Sequence, residues 1–423
     1  MNEFARRKTD YDAIIVGAGP AGSTAAILLA QAGWSVAVIE KSTFPRRKVC
    51  GECIAATNLS LLDRLGIGLQ FDDLAGPELR SVGLFAGAAM LIADLPPFAE
   101  RPHAWGRALG REHLDTLLLQ RAAACGADVW QPWAVKHVAR SEALLKTCCV
   151  VNPATGATAT LSAPVLIAAH GSWDPDPFSE KHRQRPHRNA DLFAFKGTYR
   201  DARLATGVLP VLAFPGGYGG MVLGDHGQLT LAFCMRRDTL QACRHRYAGM
   251  SAALAAQAHV ALHCAGVRRA LTGALLTAPW LTAGPVRPGI RSPWRFDGVF
   301  AIGNAAGEAH PILGEGISMA IQSAWMLCEL LVPQRADLVA GRAAADIGRR
   351  YTARWRRSFT VRIRVAAWFA HATMRPRTTA ALVALLRRWP GLLTMSARLG
   401  AKVHRVVKLD GGSPLAAGCP RSR

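Results

Sequence analysis

Apolar residues in this chain come in short runs separated by turn-forming and charged residues. Residues 12–16 (Asp-Ala-Ile-Ile-Val) have the form of a buried strand, and residues 35–39 form a second such run that ends at Glu40. Between them, residues 20–32 carry helical spacing, and Gly33 stops the helix. Residues 58–65 and 111–126 repeat that spacing. In the second of these, Leu114, Leu117, Leu118 and Ala122 share one face and Gly126 ends it. Residues 81–91 alternate small and apolar side chains as a strand does. Residues 129–151 and 158–169 read as strands returning to the first sheet. A stretch rich in Pro, His and charge, 173–188, reads as a crossover between domains. Strand character at 192–198, 208–214, 220–224 and 228–235 predicts a largely antiparallel second sheet. Residues 239–267 are Ala-rich and helical, and 299–302 form a short buried strand leading into a Gly-rich turn. No internal repeat is visible. No uninterrupted apolar run approaches the ~18 residues of a membrane span.

At 423 residues the chain has room for two or three units of ordinary domain size, and its 50% apolar share suits a sizeable core. Residues 1–8 have no apolar stretch after their charges. They do not read as a signal peptide, and a cytoplasmic location follows by default. The ten scattered cysteines then read as reduced thiols. The net charge of +22 changes the picture because of where it sits: residues 349–423 hold 17 Lys and Arg against one acid, Asp410. Arginines alternate with apolar residues, as in Val361-Arg362-Ile363-Arg364-Val365, so the segment reads as amphipathic helices with arginine-rich faces. Three roles stay open for it: a solvated cap, a surface resting on anionic lipid at the inner face of a membrane, or nucleic-acid binding. The last has no helix-turn-helix, zinc or RNA-binding motif beside it.

The candidate chemistry lies in four places. Gly17, Gly19 and Gly22 form a Gly-x-Gly-x-x-Gly between the first strand and its helix, with Pro20 and Ala21 inside it. Gly17 permits the tight turn, Gly19 lets a pyrophosphate approach the backbone, and Gly22 lets helix and strand pack closely. Glu40 is spaced to accept hydrogen bonds from a ribose diol, with Lys41 beside it. Next comes the loop 44–53, whose Arg46, Lys48, Cys50 and Gly51 would sit near the phosphates or ring of a bound dinucleotide. Cys50 and Cys53 form a Cys-x-x-Cys. A redox dithiol stays open, but no second pair has zinc-ligand spacing and no metal site is expected. Arg111, opening the helix at 111–126, is either a surface cation or a cofactor clamp. Finally, residues 301–320 run from a strand through Gly303, Asn304, Ala305, His310 and Pro311 to the turn Gly314-Glu315-Gly316-Ile317 at a helix start. There, backbone N–H groups can stabilise an anion, and Asn304 can bond a sugar or ribityl chain.

Together, in this order and over about residues 10–345, these pieces resemble the FAD-dependent family of aromatic-ring hydroxylases and geranylgeranyl reductases. The resemblance implies an α/β fold. A Rossmann-like FAD-binding domain (1–80, 105–175 and 280–345) is interleaved with a smaller antiparallel-sheet substrate domain (81–104 and 176–279), and a basic helical segment follows (346–423). It also implies FAD as cofactor, held by the residues just named, with NAD(P)H as electron donor. Some positions depart from the pattern. Asn304 replaces the usual acid, and with His310-Pro311-Ile312 it is similar to ubiquinone-biosynthesis hydroxylases, which tilts the reading toward hydroxylation. His170 replaces the acid of the hydroxylases' Asp-Gly motif. The Trp of the reductases' Gly-Tyr-Gly-Trp is absent from Gly217-Tyr218-Gly219-Gly220, and the halogenases' paired-tryptophan motif is not present.

The expected reaction is hydroxylation of a lipophilic aromatic, polyketide or quinone-type substrate through a flavin C4a-hydroperoxide. The alternative is saturation of isoprenoid double bonds. His310 is the candidate base, and the amides from Gly314 to Ile317 would stabilise the reduced ring. Phe193, Phe195, Phe214, Tyr218 and Phe233 are the aromatic candidates for substrate contact, with core packing the competing role for each. The expected partners are a lipophilic small molecule and, through the basic segment, a membrane surface rather than nucleic acid.

Overall fold

A five-stranded parallel sheet carries the first motif. Its order is Phe300–Ala301, Val165–Ala168, Ala13–Val16, Val36–Ile39, Asp128–Trp130. Every residue of Ala13–Val16 and Val36–Ile39 is buried, because both faces are covered. Such strands read as continuous apolar runs rather than as alternation. These features come from a computed structural model, which describes residues 8–99, 102–140, 145–172, 178, 186–295, 298–399, 407 and 415. The N-terminal residues 1–7, most of the crossover predicted at 173–188 and nearly all of 400–423 therefore lie outside the described residues.

Helix Pro20–Gln31 packs on the parallel sheet, and helix Gly316–Leu331 packs against it in turn. The stretch Gly316–Val339 is the one helix among the described residues long and apolar enough to cross a membrane, although the sequence suggested none. It is the central helix of the core: 72% of its most apolar window is buried inside the protein.

The second sheet has eight strands. All its pairings are antiparallel except that of Val208–Phe214 with Ser81–Ala86. Several sequence expectations are corrected here. The strand expected at 81–91 is a hairpin, Ser81–Ala86 and Ala89–Asp94, turning at Gly87 with φ +57°. The stretch 129–151 holds three strands, of which only Asp128–Trp130 joins the parallel sheet. Ala134–Arg140, Lys146–Val151 and Thr158–Ala163 form a separate antiparallel sheet. The helix expected at 239–267 is three helices, Arg237–Arg246, Ala252–His263 and Ala265–Ala270. Strand Leu281–Val286 pairs with Leu192–Arg200, so the chain leaves the second sheet later than residue 280.

The basic segment is helical as far as it is described: Ala344–Thr373, Pro376–Arg388 and Gly391–Leu399. The break between the first two falls just before Pro376, which disfavours helical backbone in the residue ahead of it. The long helix buries Tyr351, Trp355, Phe359 and Ile363 at i, i+4 spacing against the core around the parallel sheet. Tyr351 Oη donates to the carbonyl of Ala301, at 3.0 Å. Each of the buried aromatics contributes about 2–3 kcal/mol by leaving water. The two shorter helices set Leu386 and Leu393 against Val82 and Leu84 of the hairpin.

Candidate functional site

The first motif is shaped by contacts that exclude side chains. Gly17 has φ +106°, and a Cβ on it would meet the Ala169 carbonyl oxygen at 2.6 Å. A Cβ on Gly22 would lie 1.8 Å from the Gly17 carbonyl oxygen, so this glycine sets the approach of helix to strand. Glu40 accepts from the amides of Ala18 at 3.0 Å and Ser42 at 2.9 Å, which pins the Gly-rich turn to the end of the second strand.

Three cations converge on this turn. Arg111 is buried and forms a bidentate pair with Asp115, both contacts at 2.7 Å. Burial alone would lower its pKa, but the Asp115 carboxylate outweighs that and raises it. Arg46 reaches Glu40 at 3.6 Å and Asp115 at 3.8 Å. Lys48 is lowered to about 8, first by burial and then by the neighbouring Arg111 and Arg46. An incoming anion would favour its charged form and raise its pKa again.

The loop bearing Arg46 and Lys48 is anchored by Glu52, a buried residue in the left-handed region (φ 58°). Glu52 accepts from the Arg111 amide at 3.1 Å, from Thr230 Oγ1 at 2.7 Å and from Lys196 Nζ. Both side chains of the Glu52–Lys196 pair are buried, and the pair ties the cofactor loop to the second sheet. Sequence reasoning missed Lys196. Its one signal is a lysine in the middle of an apolar strand, Leu192–Arg200. Asp225, on the turn between two strands of that sheet, adds a second tie: its Oδ1 accepts from the Gly110 amide at 3.0 Å, where the Arg111 helix begins. Among the described residues, His113, Asp225 and His226 bring possible metal-ligand atoms within 4.8 Å of one another.

Gly17, Glu40, Arg46, Lys48, Glu52 and Arg111 line one cavity of about 1020 Å³. Of the predicted cofactor residues, Gly17, Gly19, Pro20, Ala21, Glu40, Lys41, Arg46, Lys48, Cys50, Gly51, Arg111, Gly303, Asn304, Pro311, Gly314, Glu315, Gly316 and Ile317 lie on its wall. Gly22, Ala305 and His310 do not. Phe195, Tyr218 and Phe233 of the second sheet line it, whereas Phe193 and Phe214 do not. Cys50 and Cys53 are unbridged thiols.

The wall fits a flavin dinucleotide. A Cβ on Gly51 or Gly316 would meet nothing within 4 Å, so both backbones face open space. Gly314, at φ +65°, turns the chain so that helix Gly316–Leu331 starts at the cavity, presenting its N-terminal amides. Arg46 Nε and Ser172 Oγ are buried without a hydrogen-bond partner among the described residues, and both residues line the cavity. Asn304 Nδ2 is 3.2 Å from Glu308 Oε1, which fixes the Asn304 carboxamide at the wall.

His310 sits behind the wall. Its Nδ1 shares a 2.9 Å hydrogen bond with Tyr218 Oη, and its ring lies edge-on to His371. Burial, and secondarily His371, lowers its pKa to about 4, so it is neutral at physiological pH. Burial also keeps the Tyr218 phenol protonated.

The far end of the cavity is apolar. The long helix contributes Val361, Val365, Trp368 and Phe369, with Arg362 its one cation on the lining, and the two shorter helices contribute Leu382, Leu385, Leu386, Leu392 and Leu393. The sequence marked this segment by charge, not as a wall of the site.

Residues 10–175 match a family model described as an FAD binding domain. The chain is 28% identical over 389 residues to a menaquinone reductase of Mycobacterium tuberculosis, covering 87% of this chain and 86% of that protein. It is 30% identical over 170 residues to squalene epoxidase 4 of Arabidopsis thaliana, covering 40% of this chain and 33% of that protein. Its fold is that of a myxobacterial chondrochloren halogenase, an FAD-dependent enzyme: the TM-score is 0.73 at 18% identity, over 92% of each chain. With its Gly-rich turn, its cationic loop and the match over residues 10–175, the chain carries an FAD-binding domain and is similar to the FAD-dependent, aromatic-hydroxylase-like flavoprotein oxidoreductases.

Proposed function

We propose that this enzyme uses FAD and NAD(P)H to hydroxylate the aromatic head of a lipophilic substrate that carries a long apolar tail, such as an alkylated phenol or a quinone precursor. The observation that carries this reading is the single cavity, in which the cofactor cradle and an arm walled by leucine, valine and tryptophan are continuous. FAD, when bound and reduced, supplies the oxygen-transfer chemistry. The chain's own residues bind and orient. The 17–22 turn, Arg46 and Lys48 hold the pyrophosphate, and Asn304 holds the ribityl chain. The amides of Gly316 and Ile317 favour negative charge on the ring. Tyr218, held by neutral His310, offers a hydroxyl at the cavity wall to the substrate head, so His310 acts as a positioning residue. The apolar arm keeps water from the reacting atoms.

A second reading, reduction of an isoprenoid-bearing quinone, is favoured by the similarity to a menaquinone reductase over 86% of that protein's length. One experiment separates the two. The FAD-loaded enzyme is given NADPH and either a long-chain alkylphenol or menaquinone, under air and under nitrogen, and products are read by mass spectrometry. A phenol product heavier by one oxygen, formed only in air, supports hydroxylation. A menaquinone product heavier by two hydrogens, formed equally under nitrogen, replaces it with the reductase.

A further inference from the structure

The apolar arm of the cavity does not close inside the protein. Val361, Val365 and Trp368 line it and are nevertheless 67%, 50% and 70% exposed. Their i, i+4, i+7 spacing makes them one stripe of the long helix, distinct from the stripe buried against the core. Leu385 brings a second helix to the same opening, 41% exposed. Beyond the cavity, Trp389 and Met395 leave more apolar surface in water on the same helical cover.

Cations surround this surface. Arg357, Arg364, Arg375, Arg387 and Arg388 are exposed, and none forms an ion pair with a described residue. The chain has no Asp or Glu between Asp346 and Asp410. Arg388 lies over the ring of Trp389, 5.9 Å from its centroid.

We propose that this face seats the enzyme on an anionic bilayer, with the cavity mouth turned toward the acyl chains, so that the substrate enters from the membrane without crossing water. The inference rests on the lipophilic substrate proposed above. Three features select the occupant. Exposed tryptophans flanked by arginine suit the headgroup boundary, where rings sit between apolar and wet layers. Unpaired arginines gain from anionic headgroups. The mouth opens among these same residues. A nucleic acid would match the arginines but leave the valine–tryptophan stripe in water. A second copy of the chain would bring two strongly basic segments face to face.

The test uses the full-length FAD-loaded protein and vesicles of phosphatidylglycerol and phosphatidylcholine, or of phosphatidylcholine alone, without substrate. Co-sedimentation with the anionic vesicles, and quenching of tryptophan fluorescence by brominated lipid, are the expected results. Arg387→Ala with Arg388→Ala should weaken vesicle binding about 25-fold, at about five-fold per arginine. Flavin content and turnover of a short-tailed, water-soluble phenol should be unchanged in that variant, since neither arginine lines the cavity. Equal binding to neutral and anionic vesicles overturns the proposal. So does tighter binding to a DNA duplex at the same ionic strength, or self-association that shields the tryptophans from quencher. Vesicle binding in a protein that turns over no lipophilic aromatic would sustain the docking face and sink the proposed reaction, so the two failures are distinguishable.

Discussion

At the cofactor end of the cavity, side chains are held by one another. Arg111 is locked to Asp115, Glu40 to two backbone amides, and Glu52 to a lysine, a threonine and the Arg111 amide. At the tail end, apart from Arg362, leucines, valines and two aromatics on helices define a width and a dry wall. The first end is specified atom by atom, as recognition of a polar ligand requires. The second is specified by volume and hydrophobicity, which many sequences satisfy. Substitutions at the first end should therefore be all-or-none, and those at the second graded.

The largest effect on function, loss of the flavin itself, is expected at Gly22. Gly22→Ala places a methyl group where the Gly17 carbonyl oxygen already sits, and backbone cannot yield as a side chain can. Loss of most bound flavin and a stability cost of about 3 kcal/mol are expected, read from the flavin-to-protein absorbance ratio and urea unfolding. Full retention of colour would show that the turn is less constrained than its geometry implies.

Lys196 is next. Lys196→Met leaves Glu52 buried without its cation, at a cost of about 3–5 kcal/mol. Adding Glu52→Gln should recover a substantial part, because the buried charge goes with it. Additive losses in that double-mutant cycle would mean that the two residues act independently.

A smaller effect should appear as a pH dependence. His310 titrates at about 4 when folded, and near 6.5 when unfolded. The unfolded chain therefore takes up the proton first as the pH falls. The stability that neutral His310 provides is whole above pH 6.5 and shrinks by up to about 3 kcal/mol as the pH falls toward 4. His310→Gln keeps a hydrogen-bonding group near Tyr218 but removes the titration. Its melting temperature should vary less than the parent's over that window, and parallel curves would rule the histidine out as the source.

The mildest effect concerns Lys48, charged below about pH 8 in the flavin-free protein. FAD affinity of stripped protein should fall as pH rises through 8. Lys48→Met should abolish that slope and weaken binding about ten-fold at pH 7 by titration calorimetry.

The same contrast explains what could be read from the chain. Gly17, Gly19, Gly22 and Glu40 were legible because a pyrophosphate and a ribose impose residue types at fixed spacing within one strand–helix–strand unit. The two-sheet architecture was legible because buried parallel strands and half-buried antiparallel ones pattern differently. The hairpin at Gly87 was hidden, since small residues on both sides of the turn mimic a continuous strand. Lys196 and the helical wall were hidden for another reason. Their significance depends on partners such as Glu52 and Val82, which are far away in sequence, and local spacing carries no record of that. His310 was identified by residue type, but its place behind Tyr218 is set by packing with His371 and the second sheet.

The central helix Gly316–Leu331 has a consequence in time. It packs on helix Pro20–Gln31, Ser323 Oγ holds the Gly303 amide at 2.9 Å, and Gln322 Nε2 donates to Asn58 Oδ1 at 3.0 Å. The Gly-rich turn thus leaves the ribosome about 300 residues ahead of the helix that completes its surroundings. At ~5–20 residues per second, that gap is on the order of half a minute. During it, the part of Pro20–Gln31 that packs on the central helix stays uncovered, although the strands beside it and helix Arg111–Ala124 are already made, and the flavin site is incomplete. Flavin loading is therefore a late event in this protein's synthesis, and the nascent chain depends on whatever shields that face meanwhile.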